Sequence, residues 1–78
     1  MPEPISPEKL EEMIHEEISE LKCQPVGFRE IRRAVMRKVW EVADRLEEQG
    51  YVLTHDMFKK LLREVWEEIK KLPACPIE

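Results

Sequence analysis

Residues 28–49 read FREIRRAVMRKVWEVADRLEEQ, and Gly50 follows. Phe28, Ile31, Val35, Val39, Val42 and Leu46 recur in steps of three or four, the period of one helix face. At 100° per residue they form a compact stripe, which Met36, Trp40 and Ala43 extend round one flank. The apolar arc approaches half the circumference, wider than one helical contact needs. A central helix touching two neighbours accounts for that width; so does a third contact, with a partner. Gly50 suits the left-handed residue that closes a helix C-terminus.

Downstream, Thr54 is a cap, Asp56 lies in the first turn behind it, and a second stripe follows at Met57, Phe58, Leu61, Leu62, Val65, Ile69 and Leu72, flanked by Trp66. Pro73 stops that helix and Pro76 keeps the tail extended. Upstream, Ser6 is a cap, Pro7 fits the first helical position and Glu8 favours the helix dipole. A narrower stripe then runs through Leu10, Met13, Ile14, Ile18 and Leu21. Pro25 breaks the chain between the first two helices and restricts Gln24. Each start also carries an apolar pair spaced as a hydrophobic staple: Ile5/Leu10, Val26/Ile31 and Leu53/Phe58. The pattern predicts one all-α domain over residues 1–78, an antiparallel up-down-up three-helix bundle with helices over about 7–22, 28–49 and 55–72.

Composition bounds the function. The chain has 78 residues, 42% hydrophobic and 38% charged, which suits one modest core and not a disordered segment. The net charge of −4 argues against nonspecific nucleic-acid binding. No apolar run approaches membrane-spanning length, and the start has neither a basic region nor an apolar run of a signal peptide. A cytoplasmic location is the expectation. Absence of Asn, a single Thr and abundant Glu, Lys and Arg fit a thermophile protein or a designed scaffold.

Charge is unevenly spread. Residues 1–20 hold seven acids and one base, residues 21–40 six bases and one acid. Two readings follow: the acidic first helix neutralises the basic second one, or Arg29, Arg33 and Arg37 form a docking strip.

Catalytic chemistry finds little footing. Glu12 and His15 have the Glu-x-x-His spacing of di-iron bundles, but there is one copy, turned away from the apolar stripe, so they read as surface residues. His55 reads as an exposed residue at a helix start. Ser6 is explained by capping, Ser19 by a helix surface, and two glycines make no phosphate loop. Length and acidity resemble those of acyl carrier proteins, but no Asp-Ser-Leu attachment motif is present, which excludes that family. No catalytic residue, metal ligand or cofactor is expected.

Cys23 follows the first helix and Cys75 the third. Those helices run parallel in an up-down-up bundle, so both cysteines emerge at one end, and a disulfide is predicted. Trp40 and Trp66 each lie 13 residues from Leu53, which predicts indoles at one height along the bundle. With Met36 and Leu62 they would form one patch flanked by Arg33 and Arg37, with the composition of an interface hot spot unless the first helix covers it. The expected function is a non-catalytic protein-interaction module, its partner another protein or a second copy. A helix-turn-helix DNA reader using the basic face of the second helix, and a scaffold without ligand, are the alternatives.

Overall fold

The computed structural model describes residues 3–76 and contains three helices: α1 (Pro7–Ile18), α2 (Phe28–Glu48) and α3 (His55–Lys70). The two polar caps form as their residues dictate. The Lys9 N–H donates to Ser6 Oγ at 3.2 Å and the Met57 N–H to Thr54 Oγ1 at 3.2 Å. The start of α2 is different. Its cap is Gly27 at φ +94°, with no side-chain hydrogen bond. The chain therefore enters α2 at another angle from the extended caps Ser6 and Thr54, and Val26 stays 47% exposed. Of the three predicted staples, Ile5/Leu10 is buried in the core, whereas Val26/Ile31 has its first member exposed. Gly50, at φ +84°, ends α2 as expected, its N–H donating to the Glu47 carbonyl at 3.0 Å.

The first helix is four residues shorter than predicted. Ser19 Oγ donates to the Glu16 carbonyl at 2.6 Å, and the Glu20 and Leu21 N–H groups reach back only three residues, to Glu17 and Ile18. This competition for the last carbonyls unwinds the end before Pro25 is reached. Helix α1 is consequently about 18 Å long and α2 about 32 Å. Leu21 still packs against the core from a non-helical position.

The core runs along the bundle axis: Leu10, Ile14 and Ile18 from α1, Val35, Val39, Val42 and Leu46 from α2, Leu61, Val65 and Ile69 from α3. Because α1 and α3 run parallel, the segments that enter them lie side by side, as do the segments that leave them. Both pairs hydrogen-bond. Strand β1 (Glu3–Pro4) pairs in parallel with β2 (Tyr51–Val52), Glu3 opposite Tyr51, and brings Ile5 into the core. At the other end Gln24 and Ala74 form a parallel bridge: Gln24 N–H donates to the Pro73 carbonyl at 2.6 Å and Cys75 N–H to the Gln24 carbonyl at 2.8 Å. Cys23 and Cys75 form the predicted disulfide beside it, with Cα atoms 4.9 Å apart. The Gln24 side-chain amide donates to the Lys70 carbonyl at 3.1 Å and lies 3.4 Å from that of Leu72, occupying carbonyls that the end of α3 leaves free. Among the described residues no helix is long and apolar enough to cross a membrane.

Candidate functional site: the outer face of α2 and α3

Helix α1 fills one groove of the α2–α3 hairpin and leaves the other open. Phe28, Met36 and Trp40 stand along the α2 side of the open groove, 70%, 37% and 57% exposed. Half-buried Phe58, Leu62 and Trp66 line its α3 side. Phe28, a member of the predicted core stripe, lies instead on this open side, against Trp66, and stays exposed.

Two aromatic pairs cross the groove. Phe28 and Trp66 meet edge to face with centroids 6.0 Å apart, and Trp40 and Phe58 are tilted at 6.4 Å. Lys70 Nζ lies 5.7 Å from the Trp66 ring centre. These pairs correct the predicted register. The hairpin folds about residues 47–49, not Leu53, because the turn and β2 do not prolong the helix. Trp66 is level with Phe28, twelve residues and about 18 Å along α2 from Trp40.

The four apolar residues singled out from sequence therefore form a strip and not one cluster. Met36, Leu62 and Trp66 join Phe28 around a hollow of about 560 Å³. Trp40 joins Ala43, Tyr51, Leu53 and Phe58 around a second one of about 370 Å³. Reasoning from sequence missed Phe28 and Phe58 as groove residues, since both fit a core stripe.

Positive charge rims the first hollow. Arg32, Lys59 and Arg63 line it, and Arg29, Arg33 and Arg37 extend the basic surface along the α2 edge beside Met36. Among the described residues, only Arg33 of these six has a carboxylate within ion-pairing distance, Glu30 at 3.5 Å with both partners exposed. Glu16 and Glu17 of α1, and Glu20 just past its end, pair elsewhere. Lys38, 6% exposed, holds Glu41 at 3.0 Å, Glu20 at 3.1 Å and Glu17 at 3.8 Å. Arg45 holds Glu17 at 2.9 Å and Glu16 at 3.1 Å. The neutralisation of α2 by α1 thus runs through Lys38 and Arg45, and the arginine strip lies outside it.

The Lys38 cluster is also where a metal would be sought. Carboxylate oxygens of Glu17, Glu20 and Glu41 lie within 4.8 Å of one another, but the Lys38 ammonium already sits among them. Burial pulls the Lys38 pKa down, and the hydrogen bonds to Glu41 and Glu20 outweigh it, so the net shift is upward. The Glu41 carboxyl is held below its usual range by the Lys38 hydrogen bond. On the α1–α3 side, His15 is exposed with Nδ1 3.7 Å from Glu68, and Glu12 is exposed on the same helix. Burial raises the Glu64 carboxyl there; Lys60 opposes the shift and the neighbouring Glu11, Glu67 and Glu68 add to it. His55 is exposed at the start of α3. Comparison with protein-family models, curated proteins and solved structures finds no match, so the function rests on the geometry of the chain itself.

Proposed function

We propose that this chain is a non-catalytic protein-interaction module whose working surface is the open α2–α3 groove. The observation that carries the reading is that Phe28, Met36 and Trp40 are left exposed in a line above half-buried Phe58, Leu62 and Trp66. A small bundle whose core already includes nine fully buried aliphatic side chains has no folding need for that line. Large aromatic anchors beside arginines have the composition of interface hot spots. An aliphatic, aromatic and basic lining suits docking more than bond-making. The reading includes a cytoplasmic site of action in a thermophile, where the charge-rich composition is common and intracellular disulfides persist.

Panning a random helical-peptide library against the intact, oxidised protein tests it. Binders that lose affinity at least tenfold with Met36→Glu or Phe28→Ala, while the melting temperature holds, support the reading. No binder, or binders indifferent to both substitutions, refutes it. Light scattering on the same samples reports self-association: a dimer mass that collapses with Met36→Glu would make the partner a second copy.

A further inference from the structure

We infer that the occupant of this groove is an acidic amphipathic helix from another protein, with large apolar anchors about three turns apart. The inference rests on the docking reading above and adds the partner's chemistry. Six bases (Arg29, Arg32, Arg33, Arg37, Lys59 and Arg63) line or border the groove. Two acids, Glu67 and Glu47, line the hollows, one at each end of the groove. In a chain of net charge −4, that concentration of positive charge beside exposed aromatics is local and not neutralised by α1, whose Glu16 and Glu17 hold Arg45 and Lys38. An acidic flank on the incoming helix complements it.

A second copy of this chain fits poorly in either arrangement. A two-fold dimer centred on the first hollow, where all six bases lie, would set them against the same six of its copy. A head-to-tail contact would offer the acidic outer face of α1, but Leu10, Met13, Ile14 and Ile18 are all buried, so that face has no apolar ridge to insert. The occupant must bring apolar and acidic residues together on one helix.

Dimensions set the spacing. The first hollow spans α2 from Phe28 to Met36 and the second from Trp40 to Glu47. Their midpoints lie about 11 residues apart on α2, or about 17 Å, so a helix laid along the groove meets them with residues i and about i+11. The Trp40–Phe58 pair forms the ridge between them.

The experiment uses the tightest peptide from the panning, resynthesised with its non-anchor flanks as Glu, Gln or Lys, and measures affinity by fluorescence anisotropy to the oxidised protein. The Glu form should bind at least tenfold more tightly than the Lys form at 50 mM salt, with the gap shrinking by 500 mM salt. Arg33→Glu combined with Arg37→Glu should reverse the order, and circular dichroism checks that this variant stays folded. Equal or tighter binding of the Lys or Gln form overturns the acidic partner while leaving the groove reading intact. Absence of any peptide sensitive to Met36→Glu overturns both. A 16-base-pair DNA duplex that displaces the Glu peptide, and itself binds more tightly than the peptide, overturns the protein partner in favour of nucleic acid.

Discussion

Reducing the Cys23–Cys75 bridge should lower the melting temperature by about 25 °C. The bridge joins positions 52 apart in sequence. On the chain-entropy model, opening a loop of that length returns about 14 cal/mol/K to the unfolded chain, or about 4 kcal/mol at 25 °C. A chain of 78 residues gains about 160 cal/mol/K on unfolding, so about 4 kcal/mol corresponds to about 25 °C. The native state should survive reduction at room temperature. The Gln24 bridge to Pro73 and Cys75, and the Gln24 amide on the Lys70 carbonyl, hold the same two segments without sulfur. The assay is circular dichroism at 222 nm against temperature, with and without a phosphine reductant, repeated on the Cys23→Ser, Cys75→Ser double variant. Helicity at 25 °C should be unchanged. A drop of less than about 8 °C would show that the unfolded chain is not relieved of the constraint, and would defeat the argument. Loss of helix at 25 °C would show instead that the hydrogen bonds of Gln24 cannot hold that end alone.

Leu46→Ala, at a fully buried site, should cost about 2–5 kcal/mol, whereas Trp40→Ala, at an exposed one, should cost under about 1 kcal/mol; equal costs in urea titrations would contradict the placement of α1. Lys38→Ala strands Glu20 and Glu41, both partly solvated, while Arg45 still holds Glu17, and should cost about 1–2 kcal/mol at pH 7. That cost should shrink on acidification. The lowered Glu41 pKa gives stability present above the unfolded carboxylate range and lost as pH falls through the folded value, and the raised Lys38 pKa gives stability lost only when pH climbs past the ordinary lysine range. A pH-independent penalty between pH 7 and pH 3 would contradict the ion-pair account. Glu64 has the opposite sign: its raised pKa opposes folding at neutral pH and is relieved as pH falls through the folded value, so Glu64→Gln should stabilise at pH 7 and not at pH 3, in denaturant titrations at the two pH values.

Helix number, helix starts and the sharing of one end by Cys23 and Cys75 were legible because their causes are local or follow from connectivity. A 3.6-residue apolar period, Ser6 and Thr54 as caps, Gly50 as a stop and short links leave one arrangement, and that arrangement puts the ends of α1 and α3 together. What required the tertiary structure depends on heights and azimuths between separate elements. The register of the α2–α3 hairpin is set by how Gly50 and the β1–β2 pairing turn the chain, and it moved Trp66 opposite Phe28. The early end of α1 depends on a hydroxyl competing for one carbonyl, and it leaves residues 19–27 outside any helix. Lys38 looks like any other base of residues 21–40 in sequence, yet it alone falls where Glu17, Glu20 and Glu41 converge, so it is buried and the arginines beside it are not. Composition and period specify which residues seek burial; only the packed chain decides which of them find cover.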